Sequence, residues 1–240
     1  MKPVAVIAGA NSAIATAMIP ALAEKYRVVA VTRPDRKLGV SAGDQVDGHL
    51  SCDYSEPALE ELAESIRSEW EEIHLLVCAV GTLHGANLTP EKRLAELDRD
   101  QLDQYFQVNA ITPALILKHL LPLVPRGEPA KAAFLSAKIG GIGDNRLGGW
   151  YGYRASKAAL NMLLKTASVE LSRSHRKLSL VALHPGTTDS PLSEPFTSNV
   201  PDDNLYSPET TADRLVSVIS GLTPEDTGRF IHWDGSDLPW

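Results

Sequence analysis

This chain of 240 residues has little of what a disulfide framework or a metal site requires. Its only cysteines are Cys52 and Cys78, which form no CxxC motif. This usage is typical of free thiols in a reducing cytoplasm. The seven histidines are scattered, and no two stand at ligand spacing, so we predict no metal site.

Long hydrophobic runs and an excess of positive charge are also missing. The apolar run that begins at Val4 ends before Gly9, and no later stretch is long enough to span a bilayer. The formal net charge of −7 argues against a large basic face for nucleic acid or an anionic membrane. We therefore expect a cytoplasmic protein with neither nucleic acid nor a membrane as its partner.

Strand-like apolar runs alternate with helical patterns along the chain. Strands are predicted over residues 4–8, 27–32, 75–80, 132–136, 178–183 and 230–233, with a further apolar patch that ends at Cys52 and Asp53. Helices are predicted over residues 13–25, 56–72, 98–124, 153–172 and 208–222. This alternation predicts one α/β domain over residues 1–240, a doubly wound Rossmann fold whose single parallel sheet carries helices on both faces. The weakly patterned stretch from Pro185 to Pro208 is predicted to be a loop of the substrate site.

The first predicted strand leads into the turn Gly9-Ala10-Asn11-Ser12-Ala13-Ile14-Ala15. Small residues here let the backbone approach a pyrophosphate at a helix N-terminus. However, Ala13 and Ala15 stand where dinucleotide-binding turns prefer glycine. The turn alone therefore fits both a dinucleotide site and an ordinary strand-to-helix connection.

Tyr153 and Lys157 place a phenol and an ammonium one helical turn apart. The i and i+4 spacing puts both side chains on one helix face. Because a nearby desolvated cation favours the phenolate, we expect Lys157 to lower the pKa of Tyr153 and to suit it to proton transfer. Tyr151 is a weaker candidate, since four residues later Ala155 offers no cation.

The order of these landmarks resembles the short-chain dehydrogenase/reductase family, in its carbonyl-reductase-like branch, from Val4 to Ser190. The resemblance depends on the glycine turn, Asp53, Cys78-Ala79-Val80-Gly81, Asn109, Ser136, the pair Tyr153 and Lys157, and Pro185-Gly186. It implies that Tyr153 is the general acid/base, that Lys157 also holds the nicotinamide ribose, and that Asn109 supports a proton relay. It further implies that Asp53 meets the adenine. It also implies that Pro185 to Ser190 contacts the nicotinamide. From the residues and the resemblance together, the predicted cofactor contacts are Gly9, Asn11, Ser12, Ala13, Ile14, Thr32, Arg33, Asp53, Ala79, Val80, Gly81, Tyr153, Lys157, Pro185, Gly186, Thr188 and Ser190.

Pro113 gives the relay role of Asn109 a physical basis. It follows Asn109 by four residues in a predicted helix. Because proline has no N–H, the Asn109 carbonyl loses its helical partner and can hold a water. The alternative is a simple proline kink beside a solvated asparagine.

The catalytic serine of the family stands three residues before a glycine at the end of the fifth strand. Counted back from Gly140, that position is Ala137, and Ser136 lies one residue earlier. A shift by one residue turns a strand side chain to the opposite face unless the backbone bulges. We predict that Ser136 is catalytic through such a bulge in this glycine-rich stretch, and the alternative is that it only caps a strand end.

Positive charge follows the second predicted strand, at Arg33, Arg36 and Lys37. An acidic residue there would bind a ribose 2′-hydroxyl, whereas a guanidinium suits a 2′-phosphate. We therefore predict NADP(H) rather than NAD(H) as the cofactor. The alternative is that Arg33 is a solvated loop charge.

Together these features predict an NADP(H)-dependent oxidoreductase that reduces a small carbonyl compound, an aldehyde, ketone or quinone, or oxidises the corresponding alcohol. The alternative is a catalytically weak NADP-binding sensor or partner-binding protein, which Ala137 favours. A sugar-nucleotide epimerase or dehydratase is disfavoured, since only about 50 residues follow Pro185. The residues expected around Tyr153 are Leu83, His84, Trp150, Tyr151, Leu192 and Phe196.

We also expect a homodimer or homotetramer. The predicted helices around Asn109 and Tyr153 carry more apolar residues than one core-facing stripe needs, and the family resemblance implies interfaces between helix pairs there. Examples are Leu160, Leu163, Leu164, Val169 and Leu171.

Overall fold

The computed structural model describes residues 2–199, 201 and 204–240, and its centre is a parallel sheet. The strands are β1 (Val4–Ala8), β2 (Arg27–Thr32), β3 (Gly48–Ser51), β4 (Leu75–Cys78), β5 (Ala130–Leu135), β6 (Leu178–His184), β7 (Thr187–Thr188), β8 (Leu205–Tyr206) and β9 (Phe230–His232). Seven of them form the sheet, in the order β3-β2-β1-β4-β5-β6-β9. The predicted doubly wound Rossmann fold is confirmed.

Helices cover both faces of this sheet. The α-helices are α1 (Ala13–Ala23), α2 (Val40–Gly43), α3 (Glu56–Trp70), α4 (Arg99–Phe106), α5 (Thr112–Leu120), α6 (Tyr151–Ser174) and α7 (Pro208–Gly221). On one face, α3, α5 and α6 share a core with Val4 and Val6 of β1. On the other, α1 packs against α7 over Ala5 and Ile7. Because β1 is buried on both faces, it reads as a continuous apolar run.

Three helices begin where the sequence offers a serine cap. The hydroxyls of Ser12, Ser55 and Ser207 accept hydrogen bonds from backbone N–H groups in the first turns of α1, α3 and α7. In the described part of the chain, no helix is both long and apolar enough to cross a membrane.

The helix predicted over residues 98–124 is divided into several pieces. After α4, residues Gln107–Ile111 form a π-helical turn, in which the N–H of Thr112 donates to the carbonyl of Gln107. Then follow α5 and a 3₁₀ turn, Leu121–Leu123. Pro113 has no N–H to donate to Asn109, so the helix changes its hydrogen-bond register around Asn109.

The stretch from Pro185 to Pro208 is more ordered than the predicted loop. It contains the parallel pair β7 and β8 and a 3₁₀ helix, Glu194–Asn199. Period-2 patterning cannot reveal strands of two residues, which explains why the sequence did not predict them. Val200, Asp202 and Asp203 of this stretch, like Met1, lie outside the described residues.

Candidate active site

The turn after β1 is held close to the end of β4. Gly9 has φ +75°, and a Cβ on it would lie 3.0 Å from the backbone C of Ala79 and N of Val80. Only glycine suits both constraints. The Ser12 hydroxyl then caps α1 by accepting from the N–H of Ala15 at 3.2 Å. Asn11, Ala13 and Ile14 complete the turn at the carboxyl edge of the sheet.

Tyr153 and Lys157 lie together in the first two turns of α6. Both are buried, and Lys157 Nζ lies 5.9 Å from the centroid of the Tyr153 ring. Nζ donates to the carbonyl of Leu135 at 3.0 Å, at the end of β5. A Cβ on Gly81 would lie 3.3 Å from Nζ and 3.4 Å from Asn109 Oδ1. Gly81 therefore leaves open the space beside the ammonium.

Burial controls the ionisation of this pair. It raises the pKa of Tyr153 to about 12 and lowers the pKa of Lys157 to about 8. The prediction that Lys157 lowers the pKa of Tyr153 is wrong for this structure, because burial raises that pKa and the ammonium donates to the carbonyl of Leu135 instead. Tyr153 is therefore a protonated phenol, able to donate, at neutral pH.

The side chain of Asn109 is fully engaged with its neighbours. Its Oδ1 accepts from the N–H of Thr82 at 2.7 Å, and its Nδ2 donates to the carbonyl of Thr82 at 2.9 Å. Nδ2 also donates to the Ser156 hydroxyl at 3.1 Å. Asn109 thus fixes the segment after β4 against α6, next to Lys157. Its part in a proton relay stays a prediction.

The hydroxyl of Ser136 is engaged by a residue of α6 other than Tyr153. This buried hydroxyl donates to Asn161 Oδ1 on α6 at 2.6 Å. The next residue, Ala137, has an extended backbone with φ −148° and packs against the cluster that contains Tyr153. Extended neighbours point to opposite sides, so the bulge expected to turn Ser136 inward is not formed. This geometry argues against Ser136 as a group that polarises a carbonyl.

The cations after β2 are exposed and share one carboxylate. Arg33 Nε lies 3.6 Å from one oxygen of Asp35, and Arg36 Nε lies 3.4 Å from the other. The buried Thr32 hydroxyl donates to the carbonyl of Arg36 at 3.3 Å. The sheet edge thus holds the segment in place while leaving its guanidiniums accessible.

Asp53 is exposed just beyond β3. Its Oδ1 accepts from the N–H of Ser55 at 2.8 Å, and this hydrogen bond is the main cause that holds the pKa of Asp53 below its usual value. It therefore stays an anion near the turn after β1.

The segment after β6 is constrained by its neighbours. Gly186 has φ +80°, and a Cβ on it would lie 2.9 Å from Cδ1 of Trp233. The hydroxyl of Thr188 lies 2.9 Å from that of Thr211 on α7. The N–H of Ser190 donates to the Ser193 hydroxyl at 3.2 Å. Pro185 and these residues lie at the same sheet edge as the glycine turn.

An aromatic wall, formed by His84, Trp150 and Phe196, stands beside Tyr153. Edge contacts link Tyr153 to Trp150 at 6.2 Å, Trp150 to Phe196 at 5.0 Å, and Phe196 to His84 at 5.6 Å between ring centroids. Nε2 of His84 lies 2.9 Å from the carbonyl of Pro191, which ties the wall to the segment after β7. The wall and neighbouring leucines give Tyr153 an apolar surrounding.

Glu91 is a structural residue of the site that the sequence did not predict. It is 2% exposed, its Oε2 accepts from the N–H of Gly152 at 3.1 Å, and its carbonyl accepts from the N–H of Trp150. Glu91 thus holds the N-terminus of α6, where Trp150 has a left-handed backbone. No spacing pattern signals a contact between residues 61 positions apart.

Metal chemistry has no structural support in the described ranges. Across residues 2–199, 201 and 204–240, no group of three or more His, Cys, Asp or Glu side chains could hold a metal ion.

Comparison with known proteins agrees with this geometry. A family model described as short chain dehydrogenase matches residues 3–201. The 1-hydroxy-2-glutathionyl-2-methyl-3-butene dehydrogenase of Rhodococcus sp. (strain AD45) is 33% identical over 182 residues, covering 75% of this chain and 76% of that protein. The carbonyl reductase Sniffer of D. melanogaster and the NADPH-bound carbonyl reductase from chicken fatty liver superpose over the whole of both chains, with TM-scores of 0.86 and 0.84 at 22% identity. The chain belongs to the short-chain dehydrogenase family and is an NAD(P)-dependent oxidoreductase.

Proposed function

We propose that this protein is an NADP(H)-dependent reductase of aldehydes, ketones or quinones that also oxidises the corresponding alcohols. The observation that carries the proposal is the buried pair of Tyr153 and Lys157 at the carboxyl edge of the sheet. The pair lies between the space left by Gly81 and the aromatic wall. A small apolar carbonyl compound fits these surroundings.

The residues at this edge fit a dinucleotide. Gly9 and Gly81 leave space that a Cβ would fill, which permits close approach of a ligand to the backbone. Residues of the glycine turn, with the N-terminus of α1, would hold the pyrophosphate. The adenine would lie near Asp53 and the nicotinamide near Lys157. The remaining contacts would come from Thr32, Ala79, Val80, Pro185, Gly186, Thr188 and Ser190.

Tyr153 would supply the proton for reduction. When bound, a reduced nicotinamide supplies hydride to the carbonyl carbon. Negative charge then grows on the substrate oxygen, and the protonated phenol of Tyr153 donates to it. Lys157 would hold the nicotinamide ribose, and Asn109, by fixing Thr82 beside Lys157, would support the path that returns a proton.

The carbonyl would be polarised without a serine. The Ser136 hydroxyl is engaged by Asn161, and Ala137 has no hydroxyl. Tyr153 alone would then bind the substrate oxygen, and the loss of a second donor weakens transition-state stabilisation. We expect reactive carbonyls, such as quinones and aldehydes, to be better substrates than simple ketones.

NADP(H) is proposed over NAD(H) because Arg33 and Arg36 are exposed after β2. Guanidiniums there suit a 2′-phosphate. The similar chicken fatty liver protein was solved with NADPH bound. The two cysteines are buried and unpaired, which supports a cytoplasmic setting.

The test combines a substrate panel with two matched variants. Purified protein is mixed with NADPH and a series of aldehydes, ketones and quinones, and absorbance of the reduced nicotinamide is followed. We expect Tyr153→Phe to keep NADPH affinity within a few-fold and to lose turnover by roughly 10² or more. Tyr151→Phe, which removes a neighbouring exposed phenol, should retain turnover.

Two outcomes would contradict this proposal. Near-wild-type turnover in Tyr153→Phe would exclude Tyr153 as the proton donor. NADPH binding without turnover of any carbonyl on the panel would favour the alternative of an NADP-binding sensor or partner-binding protein, which the missing hydroxyl at Ala137 motivates.

A further inference from the structure

Tyr54 has a backbone conformation that bulky residues rarely adopt. It follows Asp53 beyond β3, with φ +65°, and its side chain is only 6% exposed. A left-handed backbone is unfavourable for an aromatic residue and persists only where the surroundings hold it. Tyr54 is held by its N–H, which lies 3.3 Å from Cys52 Sγ, by its place in the core, and by its hydroxyl.

The Tyr54 hydroxyl joins the ends of three neighbouring strands. It accepts from the N–H of Gly9 at 2.9 Å and donates to the carbonyl of Val31 at 3.3 Å. Val31 belongs to β2 and Gly9 directly follows β1, while Tyr54 comes from the end of β3. One phenol therefore fixes the spacing of these strand ends.

The glycine turn is held from two sides. On one side, a Cβ on Gly9 would lie 3.0 Å from Ala79 and Val80. On the other, the Tyr54 hydroxyl bonds the N–H of the same glycine. The position of the turn is thus determined by the end of β4, by Tyr54 and by the carbonyl of Val31, which accepts from the N–H groups of Gly9 and Ala10.

We infer that Tyr54 is a positioning residue for the cofactor, whose hydroxyl fixes the Gly9 turn in the conformation that receives the pyrophosphate. The inference rests on the proposed function. Tyr54 is buried and its hydroxyl bonds the turn, so it acts through Gly9. It also joins the turn to Asp53, the residue expected to meet the adenine.

A phenylalanine would fill the same volume, so packing alone does not explain the phenol. Burial raises the pKa of Tyr54 well above its usual value, and the neutral phenol can accept from Gly9 and donate to Val31 at once. Without the hydroxyl, the N–H of Gly9 keeps its 3.0 Å bond to the carbonyl of Val31. Tyr54→Phe therefore leaves no orphaned backbone group and should fold.

The binding test compares Tyr54→Phe with Tyr26→Phe. Tyr26 is partly buried at the opposite end of the sheet, just before β2, so the control deletes the same hydroxyl away from the turn. We expect calorimetry to show that Tyr54→Phe binds NADPH about 3- to 10-fold more weakly than wild type. This loss of affinity corresponds to the net free energy of about one hydrogen bond. KM for NADPH should rise in parallel, with little change in kcat. Tyr26→Phe should bind as wild type does.

Amide hydrogen exchange gives a readout that needs no cofactor. The N–H groups of Gly9 and Ala10 should exchange faster in Tyr54→Phe than in wild type or Tyr26→Phe. Unchanged NADPH affinity and unchanged exchange in Tyr54→Phe would overturn the inference. So would equal losses of affinity in both variants, which would indicate a general loss of stability. If wild type itself failed to bind NADPH, the proposed function would fail, while faster exchange at Gly9 would still support the fixing of the turn.

Discussion

Arg33 and Arg36 lie beside one acidic residue, Asp35, after β2. If they bind a 2′-phosphate, reversing one charge should affect the two nicotinamide cofactors differently. We expect Arg33→Asp to weaken NADPH binding by about 10-fold or more and NADH binding far less, since a carboxylate repels the phosphate but accepts from a ribose hydroxyl. Calorimetric titration of both cofactors measures this, with Arg99→Asp, an exposed residue of α4, as the control. Equal losses for both cofactors would show that the phosphate role is wrong.

Because of Lys157, the free energy of unfolding should vary with pH in the alkaline range. Its folded-state pKa is lowered to about 8 from 10.5, so between these values the unfolded chain binds a proton that the folded protein has released. Stability contributed by this group therefore rises from pH 8 to 10.5, in total on the order of 3 kcal/mol.

In Lys157→Met this contribution is absent. We expect denaturant unfolding to show that the free energy of unfolding increases less from pH 7 to pH 10 in the variant than in wild type. Identical pH dependence of the two proteins would mean that the ammonium is not desolvated as the structure indicates. NADPH binding should be weaker in the variant at both pH values, because the group proposed to hold the ribose is lost.

The N-terminus of α6 depends on a residue from a distant part of the chain. Glu91 accepts from Gly152 there, one residue before Tyr153, and thus performs the task of a helix cap. We expect Glu91→Ala to lower the free energy of unfolding by about 1–2 kcal/mol. It should also reduce kcat about 10-fold, because small displacements of a proton donor slow the reaction.

Glu91→Gln separates capping from charge. Its amide oxygen can still accept from Gly152, so this variant should retain most of the turnover and stability. Chemical denaturation and steady-state kinetics of both variants test this. A Gln variant as impaired as the Ala variant would indicate that the negative charge matters and not the cap.

The regular elements could be predicted because their signals are local. Buried strands give apolar runs and helices give a helical spacing of apolar residues, and the structure confirms the order of strands and helices predicted from these patterns. The orientation of Ser136 could not be settled, because a shift of one residue in a strand reverses the side chain. The shift of the Tyr153 pKa was predicted in the wrong direction, since spacing along a helix reveals a nearby cation but not the depth of burial.

Contacts between distant segments were not predicted from the sequence. The Gly152 N–H donates to Glu91, and the Gly9 N–H donates to Tyr54, across separations of 61 and 45 residues. No periodicity connects such positions. The residues that follow β1, β4, β5 and β6 nevertheless gather at the carboxyl edge of the sheet, as the doubly wound fold requires of every parallel strand.

The outer surface of α6 bears on the oligomeric state. Leu160, Leu164 and Leu171 face the core, whereas Leu163 and Val169 are 43% and 58% exposed. These exposed apolar residues form a surface through which copies of the chain can associate. We therefore expect light scattering at micromolar concentration to report a dimer or tetramer. Val169→Glu should weaken that association. A wild-type mass of only 25.9 kDa would exclude it.

The packing of α1 against α7 has a consequence for the synthesis of the protein. The apolar face of α1, next to the glycine turn, is covered by a helix from a much later part of the chain. Until α7 emerges from the ribosome, that face lacks its cover, and the ends of the long stretch of strands and helices between α1 and α7 must come together before the contact forms. The carboxyl edge of the sheet beside α1 therefore reaches its final form late, and a nascent chain that ends before Pro208 would contain strands β1 to β8 without the helix that covers α1.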